Sequence, residues 1–212
     1  MSNLLKLVLI FGFVGVASAQ SVAPDELVKN TTQEVLGLIK QDKDLRAGNR
    51  AKMLNMVESK VLPHFNFTRM TTLAVGRPWR DATPAQQQSL TAEFRTLLVR
   101  TYSTALELYK DQSIDVRPLA MQPGDRDVTV KTVINQPGGQ PIPMDYRMEQ
   151  TAQGWKVYDV AIEGVSIVTN YRSQFAAEVQ RGGIDGLIKA LQDKNAKLES
   201  SRPPRTAQAG DK

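Results

Sequence analysis

The chain has no cysteine and a single histidine, His64, among 212 residues. The first absence removes disulfide staples, thiol nucleophiles and every cysteine-based metal site. The second leaves only carboxylates as possible metal donors, and no Asp-rich loop of the calcium-binding type is present. Nucleophile elbow, dinucleotide fingerprint and phosphate loop are also missing. Pro137-Gly138-Gly139-Gln140-Pro141 is glycine-rich, but it has no following helix and no phosphate-binding lysine, so it reads as a hairpin turn.

Long apolar runs are absent as well. The one apolar stretch, Leu7 to Val16, is too short and too interrupted by glycine for a comfortable membrane span. Lys6 precedes it and Ala17-Ser18-Ala19 follows it, which is the form of a secretory signal peptide cut after Ala19. Gln20 rather than cysteine comes next, which argues against a lipoprotein anchor. The expected mature chain is soluble and exported, with one domain over residues 20–199. A tail over residues 200–212, bearing Pro203-Pro204 and no apolar cluster, is expected to be disordered. The formal charge is +5, or +4 once Lys6 leaves with the leader. In an exported protein that balance favours acidic surfaces or anionic headgroups over nucleic acid as partners.

The most strongly specified element runs from Thr83 to Tyr109. Thr83 is placed to cap it, Pro84 suits the first helical position, and Gln86 completes a Thr-x-x-Gln capping box. Leu90, Phe94, Leu97, Leu98, Tyr102, Ala105, Leu106 and Tyr109 then share one broad face. Upstream, Pro24-Asp25-Glu26 opens a helix with a Leu27, Val28, Thr31, Val35, Ile39 stripe, which fades in the charged segment after it. A second helix is expected from about Asn49 to Leu62, ended by Pro63, and a third from an Asn66 cap to Gly76.

After Lys110 the period changes to two. Strands are expected at Ile114 to Leu119, Val128 to Asn135, around Met144-Tyr146-Met148, and at Trp155 to Ile162, the last covered on both faces. Two helices, Ser166 to Gln180 and Ile184 to Leu198, follow on either side of Gly182-Gly183. The expected class is α+β, an antiparallel four-stranded meander packed against a long central helix and flanking helices, enclosing an apolar cavity.

Few residues invite catalysis. His64 acts as a base only where folding brings it a nucleophile or a carboxylate, and Asp159 with Glu163 is the one acid/base candidate pair. Both have plain structural readings, as an inter-helix histidine and as turn or edge charges. Methionine stands out instead: Met53, Met56, Met70, Met121, Met144 and Met148 supply adaptable apolar surface. Such residues fit a closed core as well as a cavity.

Several separate runs resemble the MlaC or toluene-tolerance family, the periplasmic phospholipid-binding component of the Mla transport system. They are Leu62-Pro63-His64-Phe65-Asn66-Phe67, Leu73-Ala74-Val75-Gly76, Trp79 to Gln86, Phe94, Tyr102 and Tyr109, Tyr158 to Val168, and Gly182-Gly183-Ile184-Asp185-Gly186-Leu187. The resemblance extends from about Pro24 to Leu198. It implies a non-enzymatic, monomeric carrier that shuttles glycerophospholipid across the periplasm, with cargo as its only cofactor-like ligand. The implied partners are an inner-membrane ABC transporter with an MCE-type subunit and an outer-membrane lipoprotein–porin complex. On this chain the tail-lining wall is expected at Leu73, Val75, Phe94, Leu97, Leu98, Tyr102, Leu106, Val130, Met144, Tyr146, Met148, Val157 and Val165. A periplasmic adaptor with a closed core and a small-substrate enzyme are the alternative readings.

Overall fold

In the computed structural model of the protein the described residues are 22–107 and 111–200, with the side chains of residues 104–107 excepted. The expected leader, Leu106, Tyr109 and the tail beyond Ser200 therefore lie outside the described side chains and residues.

The long helix forms where its local chemistry directs it. It spans Pro84–Glu107 and is numbered α5, after α1 (Pro24–Gln41), α2 (Lys43–Arg46), α3 (Arg50–Met56) and α4 (Phe67–Val75). The capping box closes from both sides: the Gln86 amide donates to Thr83 Oγ1 at 3.3 Å, and the Thr83 amide donates to Gln86 Oε1 at 2.9 Å. Asn66 caps α4 through its Oδ1, which accepts from the Arg69 amide at 3.0 Å. At the other end of α4, Gly76 takes φ 72° and ψ −136°, a conformation closed to residues with a Cβ.

Two departures from the expected helices have local causes. Asp42 ends the first helix and caps a further short one, α2, its Oδ1 accepting from the amides of Asp44 (2.8 Å) and Leu45 (3.2 Å). That turn buries Leu45 within a charged stretch that lacks helical periodicity. The second expected helix is α-helical only to Met56, continues as a π turn over Val57–Val61, and tightens to a 3₁₀ turn over Leu62–His64. Pro63 has no amide hydrogen for the carbonyl four residues back, and its ring would collide with that carbonyl, so the chain changes pitch before it.

Five antiparallel strands form one sheet in the order β1 (Ser113–Val116), β2 (Asp127–Asn135), β3 (Ile142–Thr151), β4 (Gly154–Ile162) and β5 (Val165–Ser166). The four-stranded expectation lacked β5, which is only two residues long. Its turn is made by Glu163 (φ 51°) and Gly164 (φ 81°), the pair of positive values a two-residue hairpin needs. Two residues carry no alternation, so no pattern announces such a strand. A bulge between β3 and β4 leaves Tyr158 without a partner, because Arg147 faces Asp159 while Met148 faces Val157. The bulge puts Val157, Val160 and Ile162 on one side of the sheet and Tyr158 and Asp159 on the other. The Phe65-Asn66 segment covers β4 where β5 does not reach, the Asn66 amide donating to the Val157 carbonyl at 2.8 Å.

The buried core falls into three clusters. The largest joins α4, α5 and the last helix, α6 (Ile167–Ser200), around Phe94 and Tyr158. α6 breaks at Gly182-Gly183, where Gly183 adopts φ 65°, ψ −163°, so two arms meet at the expected position. Asp159, buried behind the sheet, caps the first arm by accepting from Ser166 Oγ (2.6 Å) and the Val168 amide (3.2 Å). On the same side Arg69 pairs with Glu149 and, at 2.9 Å, with Asp127, and stacks its guanidinium 3.7 Å above the Tyr158 ring centroid. This joins α4 to three strands. A second cluster covers the inner sheet face under α1, and a third ties α1, α2 and α3 together.

Candidate functional site

Between the inner sheet face and the helices lies a pocket of about 610 Å³. One wall is α1, through Leu27, Val28, Thr31, Thr32, Val35 and Leu36. The π turn and the segment after it add Val57, Val61, Leu62, His64, Phe65 and Phe67, with Met70 from α4. The last described turns of α5 contribute Leu98, Val99, Tyr102 and Ser103, and the sheet contributes Ile134, Ile142, Met144, Tyr146, Met148, Val157, Val160 and Ile162. The lining is overwhelmingly apolar, and its size falls in the range of small-molecule sites, about 300–1,000 Å³.

Each wall follows from local structure. Met144, Tyr146 and Met148 alternate along β3 and so face one way. Their neighbours on β4 can line the same pocket only because the bulge re-phases that strand, bringing Val160 opposite Tyr146 and Val157 opposite Met148. α1 reaches the pocket with the stripe expected from its spacing. The π turn lets Val57 and Val61 both face inward, which an α-helical pitch with its i, i+4 stagger also permits; Leu62 follows them because the pitch then tightens.

The polar groups in this lining are few. Tyr146 is half-buried with its ring against the pocket; desolvation pushes its phenol up to about 12, so it is neutral at physiological pH, and it donates to Met144 Sδ at 2.9 Å. Burial also raises the Tyr102 phenol, with Tyr171 adding in the same direction. Burial holds His64 below its usual value of 6.5, Lys156 pushes the same way, and Glu34 opposes them. The folded chain thus takes up the His64 proton less readily than the unfolded chain does. The stability contributed by neutral His64 is complete above pH 6.5 and falls as the pH drops through that value toward the lower folded one. Urea midpoints at pH 7.5 and 5.5 are expected to show the loss on acidification, and His64→Gln to make it smaller.

The residues singled out in the sequence divide into distinct locations. Leu98, Tyr102, Met144, Tyr146, Met148 and Val157 line the pocket together. Val75, Phe94 and Leu97 lie instead in the helical core, sealed between α4, α5 and α6. Val130 is fully buried within the sheet cluster. Leu73 and Val165 are surface residues, 39% and 62% exposed. The Leu106 side chain lies outside the described set. Sequence reasoning did not place α1 and the π turn in the wall. The α1 stripe was visible but reads equally as ordinary core, and the turn has no sequence signal beyond Pro63.

The candidate acid/base pair is not assembled as one. Asp159 is buried and engaged in capping α6, whereas Glu163 stands exposed in the β4–β5 turn. Among the described residues no group of three or more His, Asp or Glu is placed to hold a metal ion. No described helix is long and apolar enough to cross a membrane.

A sheet and a set of helices closed around a mainly apolar pocket, with no charged carboxylate, lysine or arginine among its lining residues, define an α+β binding fold for an apolar ligand. The chain belongs to the MlaC protein family, whose sequence profile matches residues 29–193. It is 30% identical over 186 residues to toluene tolerance protein ttg2D of Pseudomonas putida, covering 86% of this chain and 84% of that one. It is 24% identical over 140 residues to the intermembrane phospholipid transport system binding protein MlaC of Haemophilus influenzae, covering 65% of each chain. Among solved structures it resembles the phospholipid-binding protein of Ralstonia solanacearum in complex with a phospholipid. That match has 40% identity and a TM-score of 0.78 over 84% of this chain and 99% of the other.

Proposed function

We propose that this protein is a soluble periplasmic carrier that shuttles glycerophospholipid between the outer and inner membranes and so maintains outer-membrane lipid asymmetry. The observation that carries the reading is the pocket itself, whose lining is predominantly hydrocarbon. The names of its relatives, which refer to phospholipid binding and transport, support the choice of cargo. In this reading the leader is cut after Ala19, residues 20–199 make one lipid-binding domain, and no residue is catalytic. The acyl chains lie against Leu98, Tyr102, Met144, Tyr146, Met148 and Val157 together with α1 and the π turn.

The physics of the cargo restricts the mechanism. At about 0.8 kcal/mol per methylene, two acyl chains gain on the order of 20 kcal/mol by leaving water, so release into bulk solvent is negligibly slow. Handover therefore takes place in docked complexes, with an inner-membrane ABC transporter carrying an MCE-type subunit at one end and an outer-membrane lipoprotein–porin complex at the other. Wall movement is assigned to the glycine breaks at Gly76 and Gly182-Gly183, where the backbone is not held to one helical path.

The test is native mass spectrometry of the mature protein purified from a Gram-negative periplasm without detergent, followed by solvent extraction. Discrete added masses matching phospholipids are expected. A polypeptide that is bare, and stays bare after incubation with liposomes, would overturn the carrier reading in favour of an adaptor with a closed core.

A further inference from the structure

One hydroxyl in the pocket is buried and yet without a hydrogen-bond partner. Serines and threonines inside helices either point to solvent or bond the carbonyl four residues back. Here Ser59, Thr71, Thr72, Thr91 and Thr96 all do the latter, at 2.7 to 2.9 Å. Two of these, Thr91 and Thr96, share α5 with Ser103. Ser103 is 4% exposed and lines the pocket, yet its Oγ bonds neither the Val99 carbonyl nor any other group. Among the described residues it is the only buried side-chain donor left without a partner.

An unmet hydroxyl of this kind is costly in the empty protein, and native structures rarely keep one without a use. Within a mainly apolar pocket, a few placed polar groups fix the position of a ligand that is otherwise held by non-directional contacts, and Ser103 is a buried one with its donor free. Its chemistry limits what it can receive. Neutral hydroxyls cannot compensate for desolvating a phosphate, whose charge calls for a cation, and the pocket lining holds no lysine or arginine. Ser103 can serve a neutral acceptor attached directly to hydrocarbon. In a glycerophospholipid that acceptor is the acyl ester carbonyl, the last polar atom before the chain. On the same face of α5, Leu98, Val99 and Tyr102 surround Ser103 with apolar surface, so a carbonyl at Ser103 leaves the first methylenes of its chain against them.

We propose that Ser103 Oγ donates a hydrogen bond to an acyl ester carbonyl of the bound glycerolipid, and thereby sets how deeply the glycerol enters the pocket. This rests on the carrier reading above and adds a selectivity to it: the protein discriminates ester-linked from ether-linked lipid at constant headgroup and chain length.

The delipidated mature protein is incubated with vesicles containing equal amounts of a diacyl phosphatidylglycerol and its dialkyl ether counterpart. It is then separated, and the bound lipids are compared by mass spectrometry. Wild type is expected to enrich the diester about three- to tenfold, the worth of one net hydrogen bond. Ser103→Ala should bind both with a ratio near one, and Ser103→Thr should restore the preference. Lipid-free Ser103→Ala is also expected to melt about 2–4 °C above wild type, because an unsatisfied buried group is removed. Equal uptake by wild type, or a wild-type ratio retained in Ser103→Ala, overturns the proposal while leaving the carrier reading intact. Absence of both lipids from every variant overturns the carrier reading and this inference with it.

Discussion

Phe94→Ala is expected to lower stability by about 3–5 kcal/mol, the range for removing a fully buried aromatic ring. For a domain of this size that corresponds to a fall in melting temperature of about 6–20 °C. The ring has no exposed surface and meets Tyr171 and Phe175 edge to face, at centroid distances of 5.2 and 5.1 Å. Such contacts add to the area term, because the positive ring edge of one residue meets the negative face of another. The periodicity of α5 marks Phe94 as a candidate for touching ligand, whereas the fold seals it among helices. The variant therefore separates the two roles. Denaturant melts should show the loss, while phospholipid bound per folded molecule, measured well below the melting temperature, stays near wild type. A variant that kept its stability to within about 1 kcal/mol and lost its lipid would place Phe94 in the pocket after all.

Ile162→Trp should have the opposite profile. Ile162 is half-buried on β4, pairs with Met144 and Val165, and faces the pocket without taking part in any polar contact there. An indole at this position projects into the space that the cargo is proposed to fill, on a strand that accepts aromatic residues. Displacing two or three methylenes, at about 0.8 kcal/mol each, reduces lipid occupancy roughly tenfold or more. Because the added bulk enters a void rather than a packed core, stability should change by less than the 1–3 kcal/mol typical of overpacking. Native mass spectrometry after liposome incubation reads the occupancy, and thermal melts read the fold. Full occupancy in Ile162→Trp would mean that the cargo lies elsewhere.

Local chemistry carried much of the architecture into the sequence. The α5 start was legible because Thr83, Pro84 and Gln86 interact within a single turn, and the same holds for the Asn66 cap of α4. The break at Gly182-Gly183 was legible because only glycine adopts the backbone angles found at Gly183. The faces of β2 and β3 followed from strict alternation. β5 and α2 escaped notice for the complementary reason: two residues in one case and a charged turn capped by Asp42 in the other leave no period to detect.

The site was legible only in part, and the division has one cause. A hydrophobic stripe reports that a face avoids water; it does not report whether the face meets protein or a void. Phe94, Leu97, Leu98 and Tyr102 all belong to the apolar surface of α5. Phe94 and Leu97 lie wholly within the helical core with α6, whereas Leu98 and Tyr102, which belong to or pack against that same core, also border the pocket across from α1. The inner face of β4 was decided by a bulge, a pairing between strands that no single strand encodes. The amino-acid sequence by itself determined the class of elements, their order, their principal caps and the absence of cysteine-based chemistry, because each depends on residues near one another in the chain. The pocket, its π-turn wall and the unpartnered Ser103 within it were settled by tertiary structure alone, since a cavity is defined by the distances between elements and not by the residues of any one of them.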